Sequence, residues 1–220
     1  MSLWMIVVLA YSASAVDKVE LDMRVRKLTA RFEAMQQKPD KRIPPETLAK
    51  AQAIVLLDRT KAGFIFAYQG GSGVALVKDK KSEKWGPVAF LTANEGSFGA
   101  LIGGQKSFVV MLFMTQEAAN LLTTPSADFG GEATGTAGDS SATAEGTVAN
   151  KEKPVLVYDD RKGLYGGAAV KGGAVSPDEK ANMIYYNQPL TMKEILFDKK
   201  VKPTDTAIEL ATKIDGYAKK

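Results

Sequence analysis

The chain has 220 residues, of which 45% are hydrophobic and 25% are charged, and its formal net charge is +4. This composition is typical of one globular domain that buries a sizeable core. The sequence contains no cysteine and no histidine, which excludes disulfides, thiolate metal sites, cysteine nucleophiles and histidine-dependent catalytic triads. The mild positive charge suits an anionic surface but does not identify one partner.

The first fifteen residues have the pattern of a targeting segment. An apolar run over residues 3–10 is followed by Ala13-Ser14-Ala15, a small-x-small pattern that predicts a signal peptide cleaved after Ala15. The protein is then expected to be exported, and to be periplasmic or membrane-associated. The run is shorter than the roughly 20 residues of a membrane-spanning helix. No lysine or arginine precedes it, which leaves two alternatives open: the true start lies upstream, or the segment is a membrane-seeking N-terminal helix that is retained.

Residues 17–37 predict an amphipathic helix. Apolar residues recur at steps of three and four, which is the spacing of one helical stripe, at Leu21, Val25, Leu28, Phe32 and Met35. Basic side chains occupy much of the remaining surface, at Lys18, Arg24, Arg26, Lys27 and Arg31. Two interpretations are open: a basic helix that lies on anionic lipid, or an ordinary helix that docks its apolar stripe on the core. Acidic residues oppose the basic ones at Asp17, Glu20, Asp22 and Glu33. This mixture of positive and negative charge favours the second interpretation.

The next stretch predicts a short helix and then paired strands. Ile43-Pro44-Pro45 opens the helix, which gives way to a buried strand over residues 54–57. Residues 61–77 predict a β-hairpin, because alternating aromatic residues precede the turn-forming Gly70-Gly71-Ser72-Gly73 and an apolar run follows. Residues 78–84 predict a charged turn, residues 88–91 a strand, and residues 94–97 another turn.

The second half of the chain alternates strands, loops and capped helices. Residues 108–114 are strongly apolar, which predicts a central strand buried on both faces, and Thr115 is expected to cap the helix that follows. Residues 123–150 are rich in small residues and form either a flexible linker or a small-residue strand. A second hairpin is expected, with strands over residues 155–158 and 164–170. Three further helices are predicted to be capped at Ser176-Pro177, at Thr191 through a capping box, and at Thr204.

Reactive groups do not converge in this sequence. Gly71-Ser72-Gly73 begins like a nucleotide-binding glycine motif, but Leu76 stands where the third glycine belongs. Asp159-Asp160 is a pair of adjacent acids of a kind common in turns, and Ser97 has no histidine to activate it. The sequence therefore predicts no enzyme, no cofactor and no metal site. Nucleic-acid binding is not expected either, because the net charge is modest and Trp85 is better used as core.

Four blocks of the sequence resemble successive parts of one known family. They are KAGFIFAYQGGSGVALV, WGPVAFL, EGSFGALIGGQ and VYDDRKGLYGGAAVKGG. Their order and spacing are similar to those of the SYLF domain, over a stretch that runs from Arg26 to Leu196. The resemblance implies a lipid-binding domain with affinity for anionic phospholipids, which are phosphoinositides for eukaryotic members. It also implies a relationship to an actin-binding domain of fungal proteins.

The residues and the resemblance together give one set of expectations. We expect a single α+β domain over residues 16–220, in which a bent, mostly antiparallel β-sheet or barrel-like roll is covered by the N- and C-terminal helices. We expect a non-enzymatic protein that binds anionic phospholipid membranes, and the alternative is a structural or protein-interaction module of the cell envelope. The candidate lipid-binding residues are all basic, namely Lys18, Arg24, Arg26, Lys27, Arg31, Lys61, Lys78, Lys80, Lys81, Arg161 and Lys162.

Overall fold

A β-sheet lies at the centre of the computed structural model, which describes residues 16–62, 67–97, 105–123, 127–128, 134–135, 155–160, 163–164 and 174–219. The strands are β1 (Ala53–Ala62), β2 (Ala67–Val77), β3 (Ala89–Ser97), β4 (Gln105–Phe113), β5 (Ala127–Asp128), β6 (Thr134–Gly135), β7 (Val155–Asp159), β8 (Gly163–Leu164) and β9 (Ala174–Pro177). The helices are α1 (Lys18–Gln36), α2 (Pro45–Lys50), α3 (Gln116–Ala119), α4 (Glu179–Tyr186), α5 (Met192–Leu196) and α6 (Asp205–Ala218), and a 3₁₀ turn covers Asn120–Thr123.

The sheet is antiparallel through its whole centre. Its longer strands lie in the order β9-β3-β2-β1-β4-β7, and every neighbouring pair in that order is antiparallel. The short β5 pairs with β9 at one edge, while β8 and the parallel β6 pair with β7 at the other. Among the described residues the two edges do not pair with each other, so the sheet is open. The predicted α+β domain with an antiparallel sheet is confirmed, in its open form rather than as a barrel-like roll.

Helices cover both faces of this sheet and create two cores. Ile54 and Leu56 of β1 point to the first core, which also contains side chains of α1, α2, α4 and α6. Val55 and Leu57 point to the second core, against α3, the 3₁₀ turn and α5. Because both faces are covered, a central strand is apolar at every position rather than at alternate ones. The prediction for residues 108–114 is confirmed, since β4 is buried from Ser107 to Phe113.

The glycines of the predicted first hairpin do not form its turn. β1 ends at Ala62 and β2 begins at Ala67, so Gly70 to Gly73 lie inside β2, where Gly73 pairs with Leu57 of β1 and with Leu91 of β3. A Cβ atom on Gly73 would lie 2.3 Å from the backbone oxygen of Leu56. These glycines therefore permit a close approach of strands, which is a second common use of glycine in a sheet. The predicted turn at Gly70-Gly71-Ser72-Gly73 is wrong.

A second predicted turn is also a strand. Residues 94–97 belong to β3 and pair with residues 67–70 of β2. Polar and small residues are typical of turns, but here the ladder of backbone hydrogen bonds to β2 outweighs that local preference. The turn prediction for residues 94–97 is wrong.

The helix ends follow the predicted capping residues in most cases. Thr115 and Thr204 accept hydrogen bonds from the backbone N–H groups of Ala118 and Ala207, and Thr191 forms the capping box with Glu194. The exception is α4. Its cap is Asp178, whose Oδ1 accepts a hydrogen bond from the N–H of Ala181 at 3.0 Å, whereas Ser176 and Pro177 lie in β9.

Several predictions fall on residues outside the described part of the chain. They concern the signal peptide over residues 1–15, the segment 136–150, and most of the strand over residues 164–170. Within the described residues, no helix has both the length and the apolar character that a membrane crossing requires.

Candidate functional site

The first helix docks its predicted apolar stripe on the sheet. Asp17 caps it by accepting a hydrogen bond from the N–H of Glu20 at 2.8 Å. The side chains of the stripe are almost fully buried in the first core: Leu21, Val25, Leu28, Phe32 and Met35. Burial of five large apolar side chains contributes on the order of 10 kcal/mol. The stripe is therefore committed to the core, as the second interpretation of the helix predicted, and is not available to a bilayer.

Ion pairs fix one flank of α1 to the body of the domain. Arg24 lies 3.5 Å from Asp178, the cap of α4. Arg31 contacts Asp58 of β1 and lies 2.8 Å from Asp160 at the end of β7. The guanidinium of Arg31 is also 5.2 Å from the centre of the Phe108 ring. These two arginines are partly buried and neutralised by carboxylates, so their role in this arrangement is to position α1 across the strands.

The opposite side of α1 forms a solvent-facing surface that we name the α1 outer face. It consists of residues spaced by four, three, four and four, which places them on one side of a helix: Val19, Met23, Arg26, Ala30 and Ala34, all exposed. Val19 is 65% exposed and Met23 is 57% exposed. Arg26 forms no ion pair with any described residue. Val19 and Met23 are therefore neighbouring apolar side chains that stay exposed on a helix that already buries a full stripe.

Two further cations border the α1 outer face. Lys27 is 68% exposed, although its Nζ lies 2.7 Å from the Asp58 carboxylate. Lys18 is exposed near the start of the helix, with its Nζ 5.7 Å from the centre of the Tyr185 ring. Apolar side chains are therefore flanked by positive charge, which is the chemistry of an interface with an anionic, partly apolar partner.

A hydrogen-bonded cluster holds the first turns of α1 in place. The Tyr185 hydroxyl donates to Asp22 Oδ1 at 2.7 Å and lies 2.8 Å from the hydroxyls of both Thr204 and Thr206. Burial raises the pKa of Tyr185 above its usual value, and the neighbouring Asp22 carboxylate acts in the same direction. The cluster joins α1, α4 and the start of α6. Side-chain hydrogen bonds therefore fix the position of the helix that presents the α1 outer face.

Of the remaining predicted residues, the three whose side chains the structure describes lie away from this surface. Lys78 is buried, donates a hydrogen bond to the Ala49 oxygen at 2.7 Å and lies 4.9 Å from the centre of the Trp85 ring. Its burial lowers its pKa. Lys80 and Lys81 are exposed in the turn after β2. Lys61 lies in β1, but its side chain is outside the described part, as are Arg161 and Lys162 altogether.

Sequence reasoning missed the apolar half of the surface and the partners of the arginines. Val19 and Met23 fall outside the buried stripe, and their spacing of four was the signal that could have identified a second stripe. The carboxylates of Asp58 and Asp160 are 27 and 129 positions away from Arg31 in the chain. No local pattern connects residues at such separations. Among the described residues no group of acidic side chains could hold a metal ion.

Comparison with known proteins identifies the family. Residues 94–217, from β3 to α6, match the family model Ysc84, described as Las17-binding protein actin regulator. The chain belongs to this family. The match confirms the resemblance to SYLF domain proteins that the sequence blocks indicated. The Ysc84 family is described as a regulator of actin rather than as a group of enzymes, and α1 precedes the matched residues.

Curated relatives within this family are longer than this chain. It is 31% identical over 185 residues to the SH3 domain-containing YSC84-like protein 1 of Xenopus laevis, which covers 83% of this chain and 55% of the relative. It is 30% identical over 161 residues to the LAS seventeen-binding protein 3 of Saccharomyces cerevisiae, covering 71% of this chain and 35% of the relative. The chain thus spans between a third and about half of these Ysc84 relatives. No solved structure matches the chain significantly.

Proposed function

We propose that this member of the Ysc84 family binds anionic phospholipid membranes through the α1 outer face. The observation that carries the proposal is the exposure of Val19 and Met23 on a helix whose other side is anchored in the core. They lie beside Arg26, which pairs with no acid in the described part of the chain. In this arrangement the two apolar side chains enter the boundary between head groups and acyl chains. Arg26, Lys27 and Lys18 face the lipid phosphates.

The expected affinity is modest. Each basic residue near an anionic membrane contributes about 1 kcal/mol, and partial insertion of Val19 and Met23 contributes on the order of 2 kcal/mol. A total of roughly 5 kcal/mol corresponds to reversible, peripheral binding. The positive charge contributes more than half of it, so binding weakens as salt screens the phosphates.

Vesicle co-sedimentation tests the proposal. The wild-type protein is mixed at low salt with vesicles of phosphatidylcholine alone or with added phosphatidylglycerol, and it is expected to pellet with the anionic vesicles. Arg26→Glu and Met23→Ser should each reduce the bound fraction. Met183→Ser is the matched control, because Met183 is a 47% exposed methionine on α4. Equal recovery on neutral and anionic vesicles contradicts the electrostatic part, and equal binding of all variants contradicts the assignment to α1.

The export predicted from residues 1–15 bears on which lipid is available. We expect an exported protein to meet anionic glycerophospholipids rather than phosphoinositides. N-terminal sequencing of the mature protein tests this expectation. Val16 as the first residue supports export, and an intact Met1 contradicts the cleavage.

A second candidate function is the binding of a protein partner. It is favoured by the family description, which names actin regulation and Las17 binding, and by the name of the yeast relative LAS seventeen-binding protein 3. For an exported chain the partner would be an envelope protein. Co-sedimentation with filamentous actin and pull-down from an envelope extract separate these cases. Protein capture without any vesicle binding would favour this second candidate over the first.

A further inference from the structure

A small cleft opens on the other side of the sheet from α1. It lies between the turn that follows β2 and the end of α5, and its volume is about 140 Å³. Its walls include the apolar side chains of Val77, Pro87, Leu196 and Phe197. Val77 and Leu196 belong to the second core, whereas α1 packs on the first. We name this feature the lysine cleft, because Lys80 and Lys199 also line it.

Positive charge outweighs negative charge around the lysine cleft, where Glu83 is the one acid among the exposed turn residues 80–84. Lys80, Lys81 and Lys84 are exposed in or beside the turn, and none of them forms an ion pair with a described residue. The acid in the wall, Asp79, is already engaged. Its carboxylate pairs with Lys199 and accepts hydrogen bonds from both the N–H and the hydroxyl of Ser82 at 2.8 Å. An incoming ligand therefore meets an apolar hollow with exposed ammonium groups along its edge.

The volume of the lysine cleft limits what can enter it. An apolar cavity of about 150 Å³ holds one benzene ring, whereas sites for whole small-molecule ligands measure roughly 300–1,000 Å³. At about 140 Å³ the cleft has room for one large apolar side chain. A flat bilayer surface cannot reach into it, and its apolar walls offer little to a polar lipid head group. A single apolar side chain flanked by acidic residues fits both the size of the lysine cleft and the charge around it.

We propose that the lysine cleft binds an acidic peptide segment of a partner protein, with one leucine or phenylalanine side chain of that segment inserted between Phe197 and Pro87. Glutamate or aspartate residues beside the anchor pair with Lys80 and Lys81. The site is separate from the α1 outer face, so one molecule can hold a membrane on one side and a protein on the other.

Fluorescence anisotropy with a defined probe tests this assignment. The probe is a short fluorescein-labelled peptide of glutamate and serine with one central leucine. Two control peptides are matched to it. In the first, serine replaces the leucine, and in the second, lysine replaces each glutamate. The leucine probe is expected to bind best, and binding should weaken with salt. The double variant Lys80→Glu and Lys81→Glu should weaken it about tenfold, since two exposed charge pairs are reversed. Arg26→Glu, on the α1 outer face, should leave it unchanged.

Mapping of backbone amide resonances provides a measurement that does not depend on a variant. On addition of the leucine probe, shifts should concentrate at residues 77–80, at Gly86 and at residues 196–199. Shifts spread elsewhere, or equal binding of the leucine and serine probes, would overturn the proposal. Phosphatidylglycerol vesicles that displace the probe, together with loss of vesicle binding in the Lys80 and Lys81 variant, would reassign the cleft to lipid. Failure of the vesicle experiment on α1 leaves this test unaffected.

Discussion

Asn182 completes the hydrogen bonding of Phe90 in place of a neighbouring strand. Its Oδ1 accepts a hydrogen bond from the Phe90 N–H at 2.7 Å, and its Nδ2 donates to the Phe90 oxygen at 3.0 Å. Asn182 is buried in α4, and the pairing of β9 with β3 reaches only as far as Leu91. The Asp178 N–H, directly after β9, also donates to the Phe90 oxygen at 3.0 Å. The Asn182 side chain therefore supplies the acceptor for the Phe90 N–H, shares its oxygen with Asp178 and attaches α4 to the sheet.

Removal of this side chain should be costly. We predict that Asn182→Ala lowers the free energy of unfolding by about 3 kcal/mol, because the buried N–H of Phe90 then lacks an acceptor and a small cavity is left. Urea unfolding followed by tryptophan fluorescence measures the change. Lys180→Ala, at an exposed position of the same helix, is the control and should change the stability by less than about 0.5 kcal/mol. Similar values for the two variants would contradict the role of Asn182.

Two glycines should respond in opposite ways to the same substitution. Gly73→Ala places a methyl group within 2.3 Å of the Leu56 oxygen, so we predict a loss of about 3 kcal/mol or more, or a failure to fold. Gly216 lies in α6, and a methyl group added to it would meet no neighbouring side chain within 4 Å. Gly216→Ala should therefore raise the stability by about 0.5–1 kcal/mol through helix propensity. Thermal unfolding of both variants measures the two changes in stability. Destabilisation by Gly216→Ala would show that helix propensity does not determine the effect of a substitution at that position.

The ion pairs of α1 should differ in energy according to their burial. The side chain of Arg31 is 26% exposed and is shared between Asp58 and Asp160. Arg31→Ala leaves those two carboxylates without their common partner, and we predict a loss of about 2 kcal/mol. Lys27→Ala removes a far more exposed cation from Asp58 and should cost less than about 0.5 kcal/mol. Chemical unfolding at low and at high salt measures the loss of stability in both variants. Equal losses would show that the burial of an ion pair does not determine its contribution to stability.

Acid should weaken the attachment of the turn after β2 to the end of α5. Hydrogen bonds from Lys199 and Ser82 hold the pKa of Asp79 well below its usual range. A pKa that is lower in the folded state than in the unfolded state contributes stability above about pH 4, and this stability is lost progressively as the pH falls below that value. We predict that the Tm of Asp79→Asn lies below that of the wild type at pH 7 and that the gap narrows toward pH 2.

Thermal unfolding across this pH range checks the prediction for Asp79. Glu209→Gln removes an exposed carboxylate on α6 and is the matched control. The Tm of this variant should differ little from that of the wild type, because the Asp79 contact stays intact. A gap between wild type and Asp79→Asn that stayed constant down to pH 2 would show that the Asp79 charge contributes nothing to folding.

Local patterns predicted the elements whose signals lie within one stretch of chain. The stripe from Leu21 to Met35 predicted α1 and its buried side, and the apolar run of β4 predicted a strand covered on both faces. The capping box of Thr191 and Glu194 predicted the start of α5. The same local logic failed at Gly73, because glycine serves a turn and a close strand contact equally well. Only the register with β1 and β3 distinguishes the two.

The sequence by itself determined the family, the two-sided apolar character of the central strands and the helix that carries the candidate surface. These depend on periodicity and on short capping motifs, which act over a few residues. Only the tertiary structure decided which basic residues face solvent. Lys78 is buried against Trp85, Arg31 is engaged by two distant carboxylates, and Val19 and Met23 remain uncovered. The physical reason is that the state of a charge depends on neighbours brought together by long-range pairing, and no local spacing specifies those neighbours.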